Sequence, residues 1–185
     1  GQHVYALDGK TGVLKWTFPG PAGSPAIGAD GSVYCVGSSG NIYALNGVTG
    51  ARLWDFTPSN SVTGSPALGA DGTVYIGAWY GDLYALHPTT GPPIWQFATG
   101  AYLLNSPVLG PDGTVYIGSI YGQLFALDGA SGGHKWTFEA DGGANPPAVA
   151  GDGTLYFISG GGTLYAIEAS TGESKWQSRL SENLD

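Results

Sequence analysis

A tryptophan returns five times along this 185-residue chain, at Trp16, Trp54, Trp95, Trp136 and Trp176, at intervals of 38, 41, 41 and 40 residues. The same phrase precedes each one. It reads Tyr5-Ala6-Leu7-Asp8 with Thr11-Gly12, then Tyr43-Ala44-Leu45-Asn46 with Thr49-Gly50, then Tyr84-Ala85-Leu86-His87 with Thr90-Gly91. The last two copies are Phe125-Ala126-Leu127-Asp128 with Ser131-Gly132, and Tyr165-Ala166-Ile167-Glu168 with Thr171-Gly172. A second phrase alternates with the first: Pro25, Pro66, Pro107 and Pro147, then Asp30-Gly31, Asp71-Gly72, Asp112-Gly113 and Asp152-Gly153, then Tyr34, Tyr75, Tyr116 and Tyr156. Two phrases held in register over four copies define a repeat array, and the period limits the architectures available.

Within one period the pattern predicts four short strands, A to D, at about 65–69, 73–77, 82–87 and 93–98 in the second full copy. Each is a run of β-branched and aromatic residues bounded by Gly, Pro and Asp. Asp71-Gly72 predicts a two-residue hairpin between A and B, because Gly adopts the positive φ that such turns need. Gly81 marks the B–C turn, and His87 to Gly91 the C–D turn, where Asp or Asn of the sister copies accepts backbone N–H bonds. No window shows helical periodicity.

A four-stranded meander cannot bury both of its faces alone, and radial stacking of such sheets buries each against its neighbour. The expected fold is therefore an all-β propeller of four-stranded antiparallel blades, with four full blades, one half blade and an incomplete ring. The chain divides into a half blade (1–19), blades at 20–58, 59–99, 100–140 and 141–180, and a tail at 181–185. The five periodic tryptophans are expected to be wedges between blades, since buried aromatics dominate such packing. Nine residues separate Trp16 from Pro25, against twelve, twelve and eleven in later copies. The variation falls in the D–A connection, where loop-borne binding differences are expected.

Composition narrows the function. Net charge is -8 with only six Lys+Arg, and none are clustered, which argues against a nucleic-acid partner. No stretch approaches the roughly 20 apolar residues of a membrane span. The single cysteine, Cys35, excludes an internal disulfide and sits where sister repeats carry Ile76, Ile117 and Phe157. A buried apolar filler is the favoured reading over a reactive thiol. The chain contains no methionine and opens inside a repeat, so it is expected to be an excerpt of a longer protein.

The phrase Ala-x-Asp-x-x-Thr-Gly-x-x-x-Trp, intact from Ala6 to Trp16 and nearly so from Ala44 to Trp54 and from Ala166 to Trp176, resembles the repeat of the quinoprotein (PQQ-like) β-propellers. The copies at Ala85 and Ala126 depart from it at His87, Thr89-Thr90 and Ser131. The resemblance covers essentially the whole chain. It implies a propeller fold and leaves activity open, because the family holds PQQ- and calcium-dependent alcohol and sugar dehydrogenases as well as a non-enzymatic outer-membrane assembly lipoprotein. It also implies a periplasmic or extracellular location.

The chemistry-bearing residues have structural explanations. The four periodic Asp residues stand in four separate turns, and no calcium-binding loop of the Asp-x-Asp-x-Asp type appears. His3, His87 and His134 lack metal-ligand spacing. Ser24, Ser65 and Ser106 precede strand-A prolines and have no local base. No catalytic, cofactor-binding or metal-binding residue is therefore assigned.

The non-periodic residues stand out. One B–C turn carries Trp79-Tyr80 and the next Ile120-Tyr121, where the others carry Ser38-Ser39 and Gly160-Gly161. B–C turns and D–A connections emerge on one face of a meander, so Tyr102-Leu103-Leu104-Asn105 should lie beside those aromatics. Trp79, Tyr80, Tyr102, Asn105, Ile120 and Tyr121 form the candidate binding surface, with packing on the core rim or on further blades as the structural alternative. The leading expectation is a non-catalytic scaffold that binds a protein or small-molecule ligand and needs no cofactor. The rival is part of a dehydrogenase that uses PQQ and calcium, and a purely structural array is the third reading. For the unclosed ring, further blades are favoured over self-association of two copies or a persisting open array.

Overall fold

The computed structural model describes residues 3–20, 23–62, 64–103 and 105–180, and among these residues no helix is present. The expected tail at 181–185 and Leu104 lie outside the described residues. A half blade pairs β1 (His3–Leu7) with β2 (Leu14–Pro19). Blade 1 contains β3 (Ala26–Ile27), β4 (Val33–Val36), β5 (Ile42–Leu45) and β6 (Arg52–Phe56). Blade 2 contains β7 (Ala67–Leu68), β8 (Val74–Gly77), β9 (Asp82–Leu86) and β10 (Pro93–Ala98). Blade 3 contains β11 (Val108–Leu109), β12 (Thr114–Gly118), β13 (Gln123–Asp128) and β14 (His134–Glu139). Blade 4 contains β15 (Ala148–Val149), β16 (Thr154–Ile158), β17 (Thr163–Glu168) and β18 (Ser174–Arg179). Each blade is an antiparallel meander, ordered A-B-C-D.

Strand A is shorter than its sequence pattern, covering only Ala67–Leu68 in blade 2. Pro66 has no N–H to donate, and Gly69 already belongs to the turn. The A–B turn also differs from the two-residue hairpin that its Asp-Gly pair suggests. The Gly69 N–H donates to Thr73 O at 2.9 Å and the Gly72 N–H returns to Gly69 O at 2.9 Å, enclosing a three-residue loop. Asp71 has negative φ, since no non-glycine residue has positive φ, and Gly72 alone takes the left-handed position at φ 87°. A turn followed by one left-handed glycine is the bulged hairpin form. Asp71 Oδ1 accepts the Thr73 N–H at 3.0 Å and Oδ2 accepts the Thr73 hydroxyl at 2.9 Å. Asp30 with Ser32 and Asp112 with Thr114 repeat both bonds. The carboxylates that a calcium site would need are held inside their own turns.

The middle strands of the inner blades are mostly buried, with Val74, Ile76, Leu83, Ala85 and Leu86 of blade 2 at zero exposure. Side chains of adjacent blades merge into shared cores, one of which joins Tyr34, Ile42 and Trp54 of blade 1 to Val74, Ile76 and Tyr84 of blade 2. Cys35 belongs to such a core, and burial pushes its thiol up to about 11, which suppresses the reactive thiolate.

Four of the five periodic tryptophans make a repeated set of contacts with the next blade. Trp16, Trp54, Trp95 and Trp136 donate their indole N–H to Gly47, Pro88, Gly129 and Ala169 O, at 3.0, 2.7, 2.8 and 3.1 Å. Each acceptor is in the C–D turn of the next blade. Three of the acceptors also receive a strand-B tyrosine hydroxyl of the same donor blade: Tyr34 to Pro88, Tyr75 to Gly129 and Tyr116 to Ala169. The glycine of each Thr-Gly or Ser-Gly pair lies flat on the indole. A Cβ on Gly50, Gly91, Gly132 or Gly172 would stand within 2.9 Å of a ring atom of Trp16, Trp54, Trp95 or Trp136. Those four glycines also have positive φ, so contact and backbone both require glycine there. Trp176, in the last blade, is 46% exposed, whereas Trp54 and Trp136 are each 8% exposed.

Candidate functional site

The D–A connections run between B–C turns and are bonded to those on either side. The Val62 N–H donates to Gly40 O of blade 1 at 3.1 Å, and the Trp79 N–H of blade 2 donates to Ser61 O at 3.0 Å. One blade on, the Leu103 N–H donates to Trp79 O at 3.1 Å and the Ile120 N–H to Tyr102 O at 3.0 Å. Isolated bridges Val62–Ala78, Leu103–Ser119 and Ala144–Ser159 repeat the arrangement. B–C turns and D–A connections therefore share one face, and their main-chain bonds fix where the side chains on it stand.

On this face Tyr102 is the centre of an aromatic patch. Its ring centroid lies 5.8 Å from Trp79, 5.5 Å from Tyr80 and 5.9 Å from Tyr121, all tilted. Trp79 is 37% exposed, Tyr80 61% and Tyr121 60%. Among the described residues the indole N–H of Trp79 and the hydroxyls of Tyr80, Tyr102 and Tyr121 have no hydrogen-bond partner. Four of the six residues singled out from sequence thus form one group. The other two are tied into the scaffold: half-buried Asn105 donates its Nδ2 to Ala144 O at 3.0 Å, and half-buried Ile120 is bonded through its main chain to Tyr102.

Beside Trp79 lies a cavity of about 450 Å³ between blades 1 and 2. Its walls include Ser39 and Asn41 from one B–C turn, Thr57 and Asn60 from the D–A connection, and Trp79 and Tyr80 from the next B–C turn. Sequence reasoning missed it. The wall assembles from three loops, and its polar residues follow no period. A hydrogen-bonded chain stiffens one side: Asn60 Nδ2 donates to Ser59 Oγ at 3.2 Å, and Ser59 Oγ donates to Asp82 Oδ2 at 2.7 Å.

Charged groups of the face are likewise engaged. Asp141 accepts hydroxyls from Ser159, Thr163 and Tyr165, which hold its carboxyl below the usual range. The histidines and serines have structural partners. His87 Nδ1 accepts the Thr89 N–H at 3.3 Å, and His134 stacks on Phe97 with centroids 6.0 Å apart. Ser65 Oγ accepts the Ser24 N–H and Ser106 Oγ the Ser65 N–H, each at 2.8 Å. Among the described residues no group of three or more His, Cys, Asp or Glu is placed to hold a metal ion. Nor do the described residues include a helix long and apolar enough to cross a membrane.

Comparison with known proteins agrees with this architecture. The family model described as outer membrane protein assembly factor BamB matches in three overlapping stretches, 1–106, 38–146 and 80–184. No curated protein sequence matches the chain. Among solved structures, BamB from Moraxella catarrhalis superposes with a TM-score of 0.79 at 24% identity, covering 95% of this chain and 58% of its own. The quinohemoprotein alcohol dehydrogenase of Comamonas testosteroni gives 0.73 at 20% identity, covering 87% of this chain and 35% of its own. ADHIIG, the quinohemoprotein alcohol dehydrogenase from Pseudomonas putida HK5, gives 0.79 at 18%, covering 96% and 39%. The chain thus spans less than two thirds of each of these structures. With the repeat matched from end to end and the blades superposed, the chain belongs to the family of PQQ-like repeats described as outer membrane protein assembly factor BamB.

Proposed function

We propose that this chain is a non-catalytic propeller module that holds a protein partner on its B–C/D–A face. The observation that carries this reading is the aromatic patch centred on Tyr102, which spans two blades on hydrogen-bonded loops and presents unpaired donors. Large rigid aromatics with one polar end are the side chains that dominate binding hot spots. The family model, described by its role in outer-membrane assembly, supports a scaffold function at a periplasmic, outer-membrane-associated location. The dehydrogenase reading has less support. The recurring carboxylates that could hold calcium beside PQQ are on the A–B turns and hydrogen-bonded to Ser32, Thr73 and Thr114. A cofactor-free module fits these residues better.

A photo-crosslinking amino acid at position 80 or 121 is expected to give one discrete protein adduct in periplasmic extract, and the same probe at 112, on the A–B turns, none. Trp79→Ala and Tyr121→Ala should each weaken that adduct while melting stays nearly unchanged. Equal labelling from both faces would remove the protein-docking reading. Dye reduction by the chain with added PQQ, calcium and an alcohol or aldose would favour the dehydrogenase.

A further inference from the structure

We propose that the cavity beside Trp79 binds a neutral saccharide. This goes beyond protein docking and stands without it. At about 450 Å³ the cavity falls within the range of small-molecule sites. None of its wall residues is charged, although the chain carries a net charge of -8. An anionic ligand would enter without a counter-charge, and the Asp82 carboxylate behind Ser59 is not part of the wall and already accepts bonds from Ser59 and Gln96.

The wall instead combines two features. One is an aromatic side, Trp79 and Tyr80, held by the main-chain bonds from Trp79 to Ser61 and Leu103. The other is a set of uncharged donors and acceptors: the hydroxyls of Ser39 and Thr57 and the amides of Asn41 and Asn60. A pyranose ring has matching features, with a C–H face that suits the negative face of an indole and a rim of hydroxyls that both donate and accept. Asn60 is pre-oriented through Ser59 and Asp82, so part of the ordering cost of binding is already met. An apolar ligand would leave these amides and hydroxyls unpaired, and each such loss is unfavourable.

The test titrates the whole chain with maltotriose, cellotriose and triacetylchitotriose, followed by calorimetry and indole fluorescence. At least one should saturate at concentrations below about 10 mM, the weak end of specific binding. Trp79→Ala should weaken it about tenfold and Trp79→Phe much less, since a stacking surface remains. Asn41→Ala should weaken it severalfold without touching the aromatic patch. Tyr121→Ala should leave saccharide binding unchanged, which separates this site from the Tyr121 side of the docking patch, the part the two do not share. Failure of all three sugars to saturate would overturn the proposal, as would a folded Trp79→Ala chain that binds them as before. Saturation by a proline-rich peptide but by no sugar would also overturn it, and would leave protein docking standing.

Discussion

Trp54 and Trp79 are 25 residues apart and belong to neighbouring parts of the same blade pair, yet they do opposite things. Trp54 has its indole N–H on Pro88 O, its face against Gly91, and Tyr34 beside it at 5.8 Å. That side chain is almost wholly enclosed by the chain itself. Trp79 is fixed only through its backbone, and its ring leans on Tyr102 with its N–H unpaired. The first recurs with the fold's period and the second does not. Recurrence marks the residues that hold blades together. Departure from it leaves some side chains, such as Trp79, Tyr80 and Tyr121, partly exposed, and ties others, such as Asn105, to a neighbouring blade.

The comparison is most directly broken by removing the first residue. Trp54→Ala should cost roughly 3–5 kcal/mol, read as a fall in the urea midpoint with an unchanged slope, because a shared core loses a buried ring. A cost below about 1 kcal/mol would mean that the blades stack by something other than these wedges.

Acid sharpens it next, because it acts on carboxylates that hold the A–B turns and, at Asp128, a C–D turn that carries a wedge acceptor. The Thr11 N–H, followed by the Thr11 hydroxyl, holds the Asp8 carboxyl down at about 2 against an ordinary 3.8. Asp30, Asp71 and Asp152 are held low chiefly by backbone N–H bonds from Ser32, Thr73 and Thr154, and Asp128 chiefly by the Ser131 hydroxyl. A carboxyl whose folded value lies below its unfolded one stabilises the fold above the unfolded value and loses that contribution as pH falls through the folded one. Urea midpoints should therefore hold steady above about pH 4 and decline towards about pH 2. A midpoint that rises on acidification would contradict the turn bonds.

The smallest effect belongs to the other side of the comparison. Trp79→Ala should change stability by no more than about 0.5 kcal/mol, as expected of a side chain the fold does not need. A loss on the scale of Trp54→Ala would make it a core residue and withdraw both proposed sites.

The propeller was legible because strand pattern, turn residues and tryptophans share one period, and nothing local opposes it. The juxtaposition of Tyr102 with Trp79 and Tyr121 was legible too, since it follows from which loops a meander sends to the same side. Three features were not. An Asp-Gly pair does not reveal whether the residue before it is strand or turn, so the pattern reads the loop one residue too short. The strand-B tyrosines are visible as periodic marks, but their convergence with a tryptophan on one carbonyl depends on blade-to-blade distance, which sequence does not contain. The engagement of Asn105 with Ala144 depends on the same distance.

That shared carbonyl gives the array a direction. Blades 1 to 3 each contribute the donors, an indole and a phenol, and the blade after contributes the oxygen. Among the described residues the hairpin at Asp8–Gly12 is the receptive end, with open space where a Cβ on Gly12 would point. Tyr156 and Trp176, paired at 5.9 Å as in the inner blades, are the donating end. Any unit joined to these blades, whether by engineering or by gene duplication, would fit in one orientation only. Reversing it would set donor against donor, so a propeller of this kind can grow only head to tail.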